Sequence, residues 1–161
     1  METANAVQFN MSVRIIIKNK KARFNYEILE KFEAGIALAG TEVKSIRAGK
    51  VKIEEAFCNI TADYQLELLQ MSISPYEFGN IHNHDATRRR RLLMHRREII
   101  RLNSKIKEKG LTLIPVALYF KKDKVKVELG LGRGKKLHDK REILKKRDQK
   151  LEIDRAIKNT N

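Results

Sequence analysis

The 161-residue sequence predicts a mainly β protein in which helices are inserted between short antiparallel strands, and three observations carry that prediction. Apolar residues recur at every second position over long stretches, clusters of Gly, Pro and Asn separate those stretches, and only the segment near 87–102 spaces its apolar residues like a long helix. Leu, Ile, Val and Phe occupy 46 positions, enough to fill one core, and the length fits one domain.

Residues 1–12 lack any period and are expected to be a disordered extension, with Met11 a possible alternative start. From Phe24 the even positions Phe24, Tyr26, Ile28, Phe32, Ala34, Ile36 and Leu38 are apolar, which predicts one long strand bent at Gly35. Thr41 is a good helix N-cap, Glu42 suits the positive first turn, and Gly49 suits a left-handed stop, so a two-turn helix follows. Ala56, Cys58, Ile60 and Ala62 alternate, then Leu66, Leu68, Leu69, Met71 and Ile73 with a phase change at Leu69 that predicts a bulge. Pro75, Gly79, Asn80 and Asn83 mark an irregular connection.

A helix is expected from about Thr87, with Leu92, His95, Ile99 and Leu102 forming an apolar stripe widened by Leu93 and Ile100, and Arg90, Arg97 and Arg101 on the opposite side. Asn103 and Ser104 are expected to break it and cap a shorter helix that ends at Gly110. Leu111 to Phe120 reads as a strand that Pro115 confines to an edge or a bulge, and Val125, Val127, Leu129 and Leu131 as a last strand with one wet face. Beyond Gly134 the seven apolar residues are too sparse to pack on the core, yet Leu137, Leu144 and Leu151 recur at seven, so the tail reads as a latent helix awaiting a partner. Short strands with inserted helices in a chain of this size read as an antiparallel Greek-key barrel related to the OB fold.

The chain carries 35 Lys and Arg against 20 Asp and Glu, a net charge of +15 that excludes a membrane-spanning chain and favours a polyanion binder. That charge is segregated, with +8 over residues 88–109 and +6 over 133–161, which implies two separate contacts. Arg88, Arg89, Arg90 and Arg91, with Arg96, Arg97 and Arg101, read as a helix face that tracks a phosphate backbone. The barrel aromatics Phe24, Tyr26, Phe32, Tyr76, Phe78, Tyr119 and Phe120 mostly keep strand phase and read as core, so recognition of a folded RNA by shape and backbone is favoured over base stacking. His138, the only ring of the tail, sits among Lys135, Lys136, Lys140 and Arg141, a setting suited to stacking on a base.

Catalytic readings find little support. His82, His84 and Asp85 lack a second ligand cluster and read as a polar loop rather than a metal-dependent nuclease. Gly130, Gly132 and Gly134 before Lys135 and Lys136 have the wrong spacing for a phosphate loop. Cys58 keeps strand phase and reads as core, and a lone cysteine fits a reducing, intracellular setting.

The strings NKKARF at 19–24, FEAGIALAGTEVKSIRAGK at 32–50, RRRRLLMHRREI at 88–99 and GRGKKLHDKR at 132–141 followed by LKKRD resemble the small protein B (SmpB) family, the SsrA-binding proteins of transfer-messenger RNA (tmRNA). The resemblance runs in order from about residue 13 to 150. It implies an OB-like barrel of about six strands plus three helices over 13–132, and a basic tail over 133–161 that is disordered when free and helical on the ribosome. It implies a nonenzymatic cytoplasmic adaptor of trans-translation that needs no cofactor and acts as a monomer. Such an adaptor binds the tRNA-like end of tmRNA and delivers it to stalled ribosomes in ribosome rescue. Its tail would engage the small ribosomal subunit, in the decoding centre and the empty messenger channel, while elongation factor Tu and alanyl-tRNA synthetase would be met through the RNA. The alternative reading is a general ribosome-associated OB-fold protein that binds ribosomal RNA.

By motif position, Asn19, Glu33, Leu93 and Lys126 match residues that the family uses for the RNA or for shaping its RNA face. Lys20, Lys21, Phe24, Lys44 and Arg47 from the first two strings join them, with Arg88, Arg90, Arg91 and Arg97 from the third. His138 matches the family's stacking Tyr or His, within Lys135, Lys136, Asp139, Lys140 and Arg141 and ahead of Lys145, Lys146 and Arg147. Phe24 stands where many relatives have histidine, keeping a stacking face and losing a hydrogen bond, and Ala86 and Arg89 stand at positions that are commonly proline.

Overall fold

The computed structural model describes residues 13–79 and 83–160, so the expectations for residues 1–12 and for Asn80 and His82 lie outside the described residues. Strand β1 (Val13–Lys18) leads into a short helix α1 (Lys20–Asn25), strand β2 (Tyr26–Ile36) and helix α2 (Gly40–Arg47). Short strands follow, β3 (Val51–Lys52), β4 (Phe57–Ile60), β5 (Leu66–Leu69), β6 (Ser72–Ile73) and β7 (Arg90–Leu93). Helix α3 (Arg96–Lys109), the hairpin of β8 (Thr112–Lys121) and β9 (Lys124–Gly134), and helix α4 (Leu137–Thr160) complete the chain.

Seven strands form one antiparallel sheet in the order β1-β8-β9-β2-β7-β5-β4, and β3 pairs with β6 in a separate ribbon. The sheet rolls until β4 lies against β8, which encloses Leu66, Leu68, Met71, Leu92, Leu118, Leu129 and Leu131 in one core. Helix α3 presses Ile99 and Leu102 into it and stops at Gly110, whose φ of +61° needs no Cβ accommodation. Gly130 lets β8 and β2 close on this core, since a Cβ there would sit 2.6 Å from Val116 Cγ2 and 3.1 Å from Ile28 Cδ1. The expected mainly β, OB-like barrel is therefore present, with four helices among the described residues.

Several elements depart from expectation, each for a local reason. The strand expected from Phe24 begins at Tyr26, because residues 20–25 form a helix that the Asn19 side chain caps, its Oδ1 accepting from the Ala22 amide at 3.0 Å. The strand from Tyr26 is broken in phase by a register shift between Ile28 and Glu30, and Gly35 marks the point where β2 passes from β9 to β7. Helix α2 begins one residue before Thr41 and is capped at Ala39, whose amide donates to Glu42 Oε1 at 2.9 Å; Gly49 closes it with φ +74°. The phase change near Leu69 is a strand end with Gln70 at φ +59°, not a bulge, whereas Pro115 does sit beside a register shift within β8. Asn103 and Ser104 do not break α3, which runs unbroken to Lys109.

The largest departure is at the arginine run. Residues 90–93 form a strand between β2 and β5, so Arg90 and Leu92 point into the barrel and Arg91 and Leu93 point out. In the tail, residues 137–160 form one helix that buries no residue. Its 24 residues lack Gly and Pro, and Asp139 lies in its first turn, so local preference favours the helix without tertiary burial. The barrel ladder extends to Gly134.

Candidate nucleic-acid interface

The basic segment divides into cations used by the fold and cations left at the surface. Glu42, fully buried, receives Arg88 Nε at 3.0 Å and hydrogen bonds from Arg88 Nη2 and Arg90 Nε. Arg90, also 0% exposed, further donates to the carbonyls of Met71 at 2.7 Å, Ala86 at 3.0 Å and Arg88 at 3.1 Å. Arg88 reaches the Ala37 carbonyl at 3.2 Å. Burial disfavours ionised Glu42, but the hydrogen bonds from Arg88, the Ala39 amide and Arg90 outweigh that and hold its carboxyl below the ordinary value of 4.5. The reading of Arg90 as a surface phosphate ligand is corrected by this geometry: its charge is spent on tying β7 to α2. Arg88 is largely occupied in the same way, while Arg89, Arg91, Arg97 and Arg101 are exposed.

Beside that network the register of three strands assembles a cleft. Gly35 of β2 pairs with Lys126 on β9 and with Leu93 on β7, and Glu33 lies two residues along the same face. Glu33, Leu93 and Lys126 therefore line one cleft of about 450 Å³ together with Met94, His95 and Glu98. A Cβ on Gly35 would approach Leu93 Cβ to 3.3 Å, so glycine lets these strands meet. Leu93 is 53% exposed, an aliphatic surface flanked by an acid and a cation. The Tyr119 hydroxyl donates to Glu33 Oε2, and Lys121 Nζ reaches Glu33 Oε1 at 3.2 Å, so the carboxylate is held from below. Burial first, and the hydrogen bond to Glu33 second, push the Tyr119 phenol above its ordinary range, which keeps it a donor. Such a cleft offers an aliphatic platform, a cation for phosphate, and an acceptor that suits a ribose hydroxyl or base N–H and repels phosphate.

The other expected residues do not line this cleft. Asn19 is 1% exposed, and its Nδ2 donates to the Ile53 and Pro115 carbonyls, both at 3.0 Å, so it ties α1, the β3 loop and β8 together rather than reaching solvent. Lys20 is exposed, Lys21 is paired with Glu55, and Phe24 is half-buried with the Arg147 guanidinium 5.7 Å above its ring. Lys44 lies 5.2 Å from the Tyr76 ring and Arg47 lies 5.8 Å from the Phe120 ring. His95, expected on the apolar stripe, is exposed at the N-cap of α3.

In the tail, Lys136, His138, Asp139, Arg141, Lys145, Lys146 and Arg147 are exposed and Lys140 is half-exposed. His138 Nε2 lies 3.4 Å from Glu142, one turn along, and the ring is largely exposed. Lys135 laces the start of the tail to α1, its amide donating to the Asn25 carbonyl at 2.8 Å and its Nζ to the Arg23 carbonyl at 3.0 Å, and Arg147 meets the same helix at Phe24. In the polar loop, His84 has both ring nitrogens engaged, Nδ1 with Thr41 Oγ1 and Nε2 with the Ile73 carbonyl, each at 2.9 Å. Burial pushes the Cys58 thiol up, away from nucleophilic chemistry.

Sequence reasoning missed Tyr119, Lys121, His95 and Glu98 as neighbours of the cleft, and gave Glu42 only a helix-dipole role. Glutamate three residues after an apolar cap position was a usable signal for Glu42. The Tyr119–Glu33 bond spans 86 positions and had none.

Comparison with known proteins identifies the family. The family model described as SmpB protein matches residues 16–159. The SsrA-binding protein of Pelotomaculum thermopropionicum is 53% identical over 148 residues, 92% of this chain and 96% of that one. That of Carboxydothermus hydrogenoformans is 56% identical over 145 residues, 90% and 97% of the two chains. A chain of the solved structure "tmRNA-SmpB: a journey to the center of the bacterial ribosome" is 51% identical, with a TM-score of 0.63 over 75% of this chain and 85% of that chain. A match across almost the whole barrel and tail, at more than half identity to full-length relatives, shows that this chain belongs to the SmpB family.

Proposed function

We propose that this chain is a nonenzymatic RNA-binding adaptor of trans-translation, which holds the tRNA-like domain of tmRNA on its barrel and carries it to stalled ribosomes. The observation that carries the reading is the convergence of Glu33, Leu93 and Lys126 from three strands into one cleft, in a chain whose relatives are SsrA-binding proteins. Exposed Arg89, Arg91, Arg97 and Arg101 supply the phosphate contacts around it. The tail, cationic and free of burial, serves the second partner: its helix enters the decoding centre of the small subunit and the vacant messenger channel, with His138 stacking on a ribosomal base. Ribosomal RNA would supply both the counter-charge and the surface that this helix lacks on the barrel. Elongation factor Tu and alanyl-tRNA synthetase would be reached through the RNA, in the cytoplasm, by a monomeric adaptor. Among the described residues no helix is long and apolar enough to cross a membrane.

Competition binding tests the barrel half of this reading. Labelled tRNA-like domain should be displaced by unlabelled tmRNA far more readily than by an unrelated hairpin of similar length, and Lys126→Gln should weaken the specific complex about tenfold. Equal displacement by both RNAs would defeat it and favour a general ribosomal-RNA binder. For the tail, truncation after Gly134 should preserve RNA affinity and abolish tagging of stalled ribosomes.

A further inference from the structure

Next to the Glu33–Lys126 cleft, a second concave site of about 490 Å³ opens between the end of α2 and the β8–β9 hairpin, lined by Arg14, Arg47, Phe120, Lys122 and Asp123. Arg14 on β1 and Phe120 on β8 are direct cross-strand partners, so they stand side by side on one face. Arg47 crosses over from α2 and lays its guanidinium over that ring, 5.8 Å from the centroid. Among the described residues, none of Arg14, Arg47 and Lys122 has a carboxylate within ion-pair distance, in contrast to Arg88 and Arg90. Stacking fixes the plane of Arg47 without consuming its N–H donors, which leaves a pre-oriented fork of the kind that grips a phosphate with two hydrogen bonds. The hairpin tip carries Lys122 and Asp123 at φ +49° and +63°, an unusual left-handed pair for side-chain-bearing residues that sets Lys122 at the mouth of the site.

The two sites are continuous. A shallow groove lined by Asp123, Lys124 and Val125 at one end and by Gly35, Leu93 and Lys126 at the other joins them. We propose that the Arg14–Arg47–Phe120 cleft is a second RNA subsite, which takes backbone phosphates of the same RNA strand that occupies the Glu33–Lys126 cleft. The proposal rests on the RNA-binding reading above and extends its footprint to the hairpin tip. Arg47 and Arg14 are the phosphate ligands, Phe120 is the positioning residue for Arg47, and Lys122 adds charge at the mouth.

Affinity of the full chain for the tRNA-like domain of tmRNA, measured from low to moderate salt, tests this. Each phosphate neutralised contributes roughly 0.7 to 0.9 to the slope of log affinity against log salt. The double variant Arg14→Gln/Arg47→Gln, at two exposed positions, should lower that slope by about one to two and weaken binding at least tenfold at low salt. Phe120→Leu should weaken binding about threefold with the slope unchanged, because the charge remains and only its orientation is lost. A slope within about 0.3 of wild type for the double variant, while Lys126→Gln still weakens binding, overturns the second subsite and leaves the first cleft standing. Unchanged affinity in both the double variant and Lys126→Gln would overturn both.

Discussion

Replacing Glu42 by glutamine removes one negative charge from a fully buried position that two arginines share. Glutamine keeps the volume and can still accept from the Ala39 amide, so helix capping survives and the loss is electrostatic. Breaking a buried ion pair by neutralising one partner costs about 3–5 kcal/mol, because the other charge stays buried. Arg90 retains the carbonyls of Met71, Ala86 and Arg88, which partly solvate it and place the cost near ~3 kcal/mol. Arg88 is 35% exposed and regains water, so its share is screened to below ~1 kcal/mol. With a urea slope of about 1.5–2 kcal/mol/M, the midpoint should fall by roughly 1.5–2 M at pH 7. The loss should also be pH-dependent. A carboxyl held below its ordinary 4.5 stabilises the fold above that value and loses this contribution as pH falls through its lower folded-state value. Acidification from pH 5 downward should therefore lower the wild-type midpoint more steeply than that of Glu42→Gln, bringing the two curves together. A neutral-pH shift under about 0.4 M, or parallel curves through the acid range, would refute the assignment of Glu42 and Arg90 as a structural charge pair.

Three further outcomes follow from buried contacts. Asn19→Ala removes the α1 cap and strands two buried carbonyls, so thermal denaturation should report a loss of about 3 kcal/mol, whether or not RNA is present. Gly130→Ala forces a Cβ to within 2.6 Å of Val116 and should cost about 2 kcal/mol, seen as a fall of roughly 4–8 °C in Tm. Truncation after Gly134 removes a helix that buries no residue, so calorimetry should find the Tm of the barrel within about 2 °C of the full chain.

The sequence by itself determined what depends on neighbours along the chain. Alternation through Val125, Val127, Leu129 and Leu131 became β9, Gly49 and Gly110 became left-handed helix stops, and the spacing of charge marked one cationic cluster in the barrel and another in the tail. These signals are local, because side-chain period and backbone handedness act within a few residues. Its motifs also sufficed for the family, and Glu33, Leu93 and Lys126 for the cleft's main members. Only the tertiary structure decided how the cations are spent. Arg88 to Arg91 are four identical side chains in a row, and nothing adjacent distinguishes them; strand register turns Arg90 inward toward Glu42, 48 positions away, and leaves Arg91 to solvent. A buried charge survives only where the fold brings it a counter-charge and acceptors, so its partner is set by long-range packing rather than by local pattern. The same holds for Tyr119 beneath Glu33 and for Arg47 stacked on Phe120: each pairing exists because the barrel closes, and closure joins residues that are distant in the chain.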